Sequence, residues 1–139
     1  MDTHIGIVDD NHFVVRLIED ILRYERIKTI TSFTKPYQAL ASFLKNSPPY
    51  SLIIADYHLP RISGLELLNH IRIVHPTIRG IIISADPDTV YRNNPVWPVV
   101  DKSGKLFQRK LVRMVVRELT VKDGGMCIRD SCRICCDFG

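Results

Sequence analysis

Cysteine is missing from the first 126 residues of this 139-residue chain, and all four (Cys127, Cys132, Cys135 and Cys136) fall in the last thirteen. The body of the chain therefore folds without disulfides, as proteins of reducing compartments do. Long apolar runs are missing too. No stretch approaches the roughly 20 residues that span a bilayer, and the start Met1, Asp2, Thr3, His4 lacks the basic-then-apolar pattern of a secretory leader. A cytoplasmic protein without a membrane segment is expected. Excess charge of one sign is scarce, since 19 Lys and Arg face 15 Asp and Glu for a net charge of +4. Much of the basic charge gathers in Lys105, Arg109, Lys110, Arg113 and Arg117. A general nucleic-acid footprint is absent, as is a helix-turn-helix pattern, so direct nucleic-acid binding is not expected. His4, His12, His58, His70 and His75 show no paired metal-ligand spacing and read as surface or structural residues.

What is present is an ordinary globular composition, 45% hydrophobic and 24% charged, in a chain long enough for one packed domain and too short for two full-sized ones. Short β-branched runs alternate with segments of helical period. Residues 5–8, 29–33, 52–55, 81–84 and 96–100 read as strands, most of them nearly continuous apolar runs, as expected where both faces of a sheet are covered. Val14, Leu17, Ile18 and Ile21 give the stripe of a first helix capped by Asn11. Thr34 is placed to cap a second, with Pro36 in its first turn, the stripe Leu40, Phe43 and Leu44, and a stop at Pro48 and Pro49. Leu67, Leu68, Ile71 and Val74 mark a third that ends before Pro76, and Leu111, Val112, Val115 and Leu119 mark the last. Strand and helix in alternation force parallel pairing with right-handed crossovers, which gives an open, doubly wound α/β sheet with helices on both faces.

Such sheets place ligands beyond the carboxyl ends of their strands. Asp9 and Asp10 follow the first strand, Asp56 the third, Ser84 ends the fourth and Lys102 follows the fifth. Singly, each has an ordinary explanation: a helix N-cap pair, a turn residue, a strand-end hydroxyl, a surface lysine. Together they fall at one edge. Two carboxylates about 4 Å apart repel by roughly 4 kcal/mol at an effective dielectric near 20, a large part of the roughly 5–15 kcal/mol that holds a domain together. Either some of them are protonated or a divalent cation neutralises them. Oxygen ligands favour a hard ion, with magnesium the best candidate, and Lys102 and Ser84 then suit a phosphoryl group.

The segments Ile7-Val8-Asp9-Asp10-Asn11, Ile53-Ile54-Ala55-Asp56-Tyr57-His58-Leu59-Pro60 with Gly64 following, Ile82-Ile83-Ser84-Ala85 and Val100-Asp101-Lys102 resemble the receiver domains of two-component response regulators. The likeness covers nearly everything from Ile5 to Leu119. It implies a flavodoxin-like sheet of strand order 2-1-3-4-5 and a receiver domain over residues 1–120. It also implies that Asp56 accepts a phosphoryl group from a sensor histidine kinase or phosphotransfer protein. Asp10 and Asp56 would hold Mg2+ directly with the backbone carbonyl of His58, and Asp9 through a water. Lys102 would face the phosphoryl oxygens and the Ser84 hydroxyl would move toward the new phosphate. The resemblance further implies a homodimer or output contact through the helix 4, strand 5 and helix 5 face, and no turnover enzyme beyond slow self-dephosphorylation. A phosphohydrolase would want a general acid two residues after Asp56, where His58 stands. An attached transcriptional output domain and a stand-alone receiver are equally allowed.

Three departures fall in one region. Ser103 follows Lys102 where many receivers have proline; Val99 stands where an aromatic residue often turns inward, with Trp97 two residues earlier. Pro87, Pro95 and Pro98 crowd the 17 residues between Ser84 and Lys102, so the fourth helix should be short, over 88–93. These changes favour, as the alternative, a receiver-like interaction domain that works without phosphorylation. Lys105, Arg109, Arg113 and Arg117 repeat every four residues along the last helix, which reads first as a solvated face and second as a site for an acidic partner. The segment 121–139 has no period and is expected to be an unstructured tail. Its hexapeptide Met126-Cys127-Ile128-Arg129-Asp130-Ser131 resembles a translated transposon end, which would make the tail non-native. Its adjacent Cys135 and Cys136 suit a zinc knuckle poorly.

Overall fold

Five short strands and five helices alternate along the chain: β1 His4–Val8, α1 His12–Tyr24, β2 Thr29–Phe33, α2 Pro36–Lys45, β3 Leu52–Asp56, α3 Gly64–Val74, β4 Gly80–Ser84, α4 Pro87–Asn93, β5 Val99–Asp101 and α5 Phe107–Thr120. The structure is a computed structural model and describes residues 3–45, 50–94 and 96–120. The segment 121–139, with its four cysteines, therefore lies outside the described residues, and so do Pro48, Pro49 and Pro95. No helix among the described residues is long and apolar enough to cross a membrane.

The strands form one parallel sheet in the order β2-β1-β3-β4-β5, the doubly wound arrangement that the alternation of elements requires. Side chains of a strand point alternately to its two faces, and here both faces are covered. Ile54, Ile81 and Ile83 join Ile18, Leu22, Leu111 and Val115 under α1 and α5. Ile53, Ala55 and Ile82 join Phe43, Leu67, Leu68, Ile71 and Val90 on the other side. That double burial is why β3 and β4 are apolar almost throughout, and every one of their residues is buried. The edge strand β2 has no buried residue and keeps a more polar sequence.

Several local expectations shift by a residue or two. Asn11 caps α1 as expected, its side-chain oxygen accepting from the N–H groups of Phe13 at 2.9 Å and Val14 at 3.4 Å. The buried stripe, however, is Val15, Ile18, Ile21 and Leu22, while Leu17 is 47% exposed. Two overlapping apolar stripes share Ile18 and Ile21, and the sheet selects the one that carries Leu22. α2 begins at Pro36 with Ala39 N–H donating to the Lys35 carbonyl, so Lys35 and not Thr34 holds the cap position. Val74 at the end of α3 is exposed. α4 is short, as its prolines require, with Pro87 in its first turn after the cap Asp86.

β5 starts three residues later than its apolar run. Asn94 accepts from the N–H groups of Val96 at 3.1 Å and Trp97 at 2.9 Å, and donates to the Trp97 carbonyl at 2.8 Å. Those backbone groups are engaged in a turn and cannot join a ladder. Pro98 has no N–H to donate, though its carbonyl accepts from Ile82.

Candidate functional site

The carboxyl ends of β1, β3, β4 and β5 bring Asp9, Asp56, Ser84 and Lys102 to one edge. Asp9 and Ser84 are fully buried and Asp56 is 2% exposed, whereas Asp10 is exposed. Lys102 Nζ lies 3.1 Å from Asp56 Oδ1 and 3.7 Å from Asp9 Oδ2. β5 delivers that ammonium because Lys102 N–H donates to the Ser84 carbonyl at 2.9 Å, one step beyond the Ser84 and Asp101 pair of the β4/β5 ladder. Asp9 Oδ1 accepts from Asn11 N–H at 2.9 Å.

Burial is the main reason that both buried carboxyls titrate high. Asp9 is pushed up from 3.8 to about 6, with the Asn11 N–H and Lys102 opposing the shift and the charges of Asp56 and Asp10 adding to it. Asp56 is raised by burial as well, against the lowering influence of the Lys102 hydrogen bond and charge, with the charge of Asp10 adding and the His58 backbone N–H opposing. One ammonium does not offset three carboxylates.

Asp9 Oδ2 makes the mismatch concrete, because it is buried without a hydrogen-bond partner, a condition that costs about 1–3 kcal/mol when nothing fills it. Ligand atoms of Asp9, Asp10 and Asp56 all lie within 4.8 Å of one another. Three carboxylates, one of them with an oxygen that has Lys102 at 3.7 Å but no hydrogen bond, fit a hard divalent cation.

α3 is fitted closely against this edge. Gly64 N–H donates to the Tyr57 carbonyl at 3.1 Å, and a Cβ on Gly64 would lie 2.3 Å from the Asp56 carbonyl oxygen. Ser63 and Glu66 form a capping box that starts the helix there.

Every residue singled out from the sequence for this edge therefore lies on it: Asp9, Asp10, Asp56, Ser84 and Lys102. His58 stands exposed just after β3. Sequence reasoning passed over Asp86, whose N–H donates to Ser84 Oγ at 2.9 Å, and whose carboxylate takes the Thr89 hydroxyl at 2.6 Å. An acidic residue directly before Pro87 was the available signal. It also passed over Asp101, which accepts from both N–H and Oγ of Ser103 and so supplies the turn where many receivers have proline. Of the basic repeat expected along the last helix, Lys105 lies in the turn before α5, and it, Arg109 and Arg113 are exposed along one hollow. Arg117 instead turns partly inward, with its Nε buried.

Fold and edge together define a doubly wound α/β domain with two buried aspartates, Asp9 and Asp56, at the carboxyl end of its sheet. The sequence model of the response regulator receiver domain matches residues 5–96, and the chain belongs to that family. It is 29% identical over 85 residues to sporulation initiation phosphotransferase F of Bacillus subtilis, covering 61% of this chain and 66% of that protein. It is 26% identical over 87 residues to a putative two-component response regulator of Arabidopsis thaliana, covering 61% of this chain and 15% of that one. The chain thus spans less than two thirds of either curated relative. Among solved structures, the response regulator TrrA of Thermotoga maritima in complex with Mg(2+)-BeF aligns with a TM-score of 0.68 and 26% identity, over 84% of this chain and 98% of that one. A receiver domain from Clostridium thermocellum aligns with a TM-score of 0.72 at 18% identity, over 84% and 94%. The protein is a receiver domain of the response regulator class, to which two-component signalling belongs.

Proposed function

We propose that Asp56 is the phosphoacceptor of a two-component phosphorelay. The observation that carries this reading is the nearly buried Asp56 carboxylate with the Lys102 ammonium 3.1 Å away. A carboxylate oxygen of Asp56 attacks the phosphorus of a phosphohistidine, a P–O bond forms as the P–N bond breaks, and the imidazole leaves to a protein partner. Lys102 then faces the phosphoryl oxygens, where it offsets charge in transit. Asp10 and Asp56 with the His58 backbone carbonyl would hold Mg2+, and Asp9 would do so through water. Magnesium, when bound, supplies further positive charge against the phosphoryl oxygens. The solved complex of TrrA with Mg(2+)-BeF supports that choice of ion.

The donor is a sensor histidine kinase or phosphotransfer protein, consistent with the likeness to a sporulation phosphotransferase. The domain acts in the cytoplasm as an acceptor and not as a turnover enzyme, with slow self-dephosphorylation at most. A homodimer or output contact would use α4, β5 and α5, where Pro87, Tyr91, Val99, Lys110 and Met114 line a groove of about 340 Å³. Incubating the purified chain with a small phosphodonor and Mg2+ is expected to add one phosphoryl group, detected by intact mass, and a chelator is expected to prevent it. Failure to label the wild type would favour the phosphorylation-independent interaction domain.

Stability gives a second test, independent of phosphate. The metal-free fold holds a proton on Asp9 up to about pH 6, whereas the unfolded chain releases it near 3.8. The folded state binds more protons in that interval, so stability falls as pH rises from about 4 to about 6, by on the order of 3 kcal/mol. Magnesium should relieve this cost where Asp9 is charged. Saturating Mg2+ is therefore expected to raise the melting temperature more at pH 7 than at pH 5. Equal shifts by calorimetry at the two pH values would rule it out.

A further inference from the structure

β5 ends in a closed turn. Its last residue, Asp101, folds its carboxylate forward, and Oδ1 accepts the Ser103 N–H at 2.9 Å and the Ser103 hydroxyl at 2.6 Å. A side chain bonded to the N–H two residues ahead encircles the backbone of the residue between, and here that residue is Lys102. β1 is closed in the same way, since Asp9 Oδ1 accepts the Asn11 N–H at 2.9 Å around Asp10. The two turns differ in what else their carboxylates do. Asp9 belongs to the group of three carboxylates at the site, and Asp101 stands outside it. The Ser103 hydroxyl and N–H hold the Asp101 carboxyl below its ordinary range, with burial opposing and the charge of Lys110 helping, so it is an anion at neutral pH.

On its strand side the Lys102 backbone is held by its N–H, which donates to the Ser84 carbonyl at 2.9 Å. On the other side Ser103, Gly104, Lys105 and Leu106 are all exposed, and Gly104, at a φ of +87°, has open space around it. The next buried residue is Phe107. The turn closed by Asp101 is therefore the restraint nearest to Lys102 on that side. What depends on it is the ammonium, which a flexible four-carbon stem carries from this backbone to 3.1 Å from Asp56 Oδ1 and 3.7 Å from Asp9 Oδ2. A misplacement of about 1 Å at a reacting centre can cost on the order of a hundredfold in rate.

We propose that Asp101 is a positioning residue: its carboxylate, closed on Ser103, fixes the Lys102 backbone from which the ammonium reaches Asp56. The proposal rests on the phosphoacceptor reading of Asp56, in which Lys102 faces the phosphoryl oxygens. Asp101 touches neither the phosphoryl group nor the metal and acts through Lys102 alone. The role requires an acceptor oxygen that reaches Ser103 and does not require the charge, so asparagine serves at this position and alanine does not.

Two measurements on the full chain test this, each on wild type, Asp101→Ala and Asp101→Asn. The first is limited acetylation with acetic anhydride, read by peptide mass spectrometry as the rate at Lys102 relative to the exposed Lys35, which needs no phosphate. The second is the initial rate of labelling by a small phosphodonor with Mg2+. In Asp101→Ala the acetylation ratio is expected to rise about fivefold and the labelling rate to fall about fivefold, the worth of one net hydrogen bond. Asp101→Asn should stay within about twofold of the wild type in both. Adding Asp101→Ala to Lys102→Ala should slow labelling no further, because the residue through which Asp101 acts is gone. An unchanged acetylation ratio in Asp101→Ala overturns the proposal, as does Asp101→Asn behaving like Asp101→Ala, or a further loss of labelling in the double variant. A wild type that takes no label counts against the phosphoacceptor reading of Asp56, and the acetylation ratios then decide by themselves whether Asp101 positions Lys102.

Discussion

Asp56→Asn is expected to lose phosphoryl incorporation to background while folding at least as well as the wild type. The two halves of that result have different causes. Asparagine keeps the shape of the side chain but offers a neutral amide oxygen, a poor nucleophile toward phosphorus, so labelling that proceeds in the wild type stops. Stability responds to burial instead. The Asp56 carboxyl titrates above its ordinary range chiefly because it is desolvated, so at pH 7 its charge costs the metal-free fold stability that a neutral amide does not. Lys102 keeps Asp9 Oδ2 within 3.7 Å after the change and is not stranded without a carboxylate. Intact mass after treatment with a small phosphodonor and Mg2+, paired with a thermal melt of the metal-free protein at pH 7, reads both halves. Equal labelling of the two proteins would end the assignment of Asp56, and a large drop in melting temperature would show that loss of labelling came from loss of fold.

Gly64→Ala is expected to be the most damaging single-methyl change in the domain. The new Cβ would stand 2.3 Å from the Asp56 carbonyl oxygen, 2.9 Å from its carbonyl carbon and 3.3 Å from Tyr57 Cα. All three are backbone atoms of the segment that ends β3, and they cannot rotate out of the way. Either α3 backs off from the sheet or the Asp56 backbone shifts, at about 3 kcal/mol and about 10 °C in melting temperature. Because the displaced backbone is that of Asp56, labelling should slow in the protein that remains folded. Two other glycines serve as controls. At Gly6 the tightest contact, 2.6 Å, is with the edge of the Phe43 ring, a side chain with some freedom to yield. Gly104 has nothing within 4 Å and only a φ of +87° to preserve, so Gly104→Ala should cost about 1 kcal/mol. A Gly64→Ala melt within a degree or two of that of Gly104→Ala would show that α3 is free to move.

The architecture was legible because burial on both faces leaves little choice of residue. β3 and β4 are apolar almost throughout for the same reason that they sit in the middle of the sheet, and their carboxyl ends carry the site. Where reading failed, a polar side chain had redirected the backbone. The apolar run before Lys102 promised five residues of strand, yet Asn94 engages the N–H groups of Val96 and Trp97, and hydropathy does not register that competition. The face of α1 was misplaced by a different effect, since both Val14 with Leu17 and Val15 with Leu22 satisfy helical spacing, and only packing against the sheet, which buries Val15 and Leu22, decides between them. Gly64 stood out only as part of a resemblance. Its physical requirement, a carbonyl closer than any Cβ tolerates, exists only once α3 has docked.

The brevity of β5 also limits how another molecule can engage this side of the domain. Strand addition needs an extended row of unpaired donors and acceptors along a sheet edge, and β5 offers three residues. Pro98, without an N–H, stands before them, and Asp101 at their end accepts from Ser103. A peptide laid alongside would find too few backbone groups to zip onto. Recognition of this flank then falls to side chains on α4 and α5, and the same shortness guards this edge of the sheet against pairing with a strand from another copy.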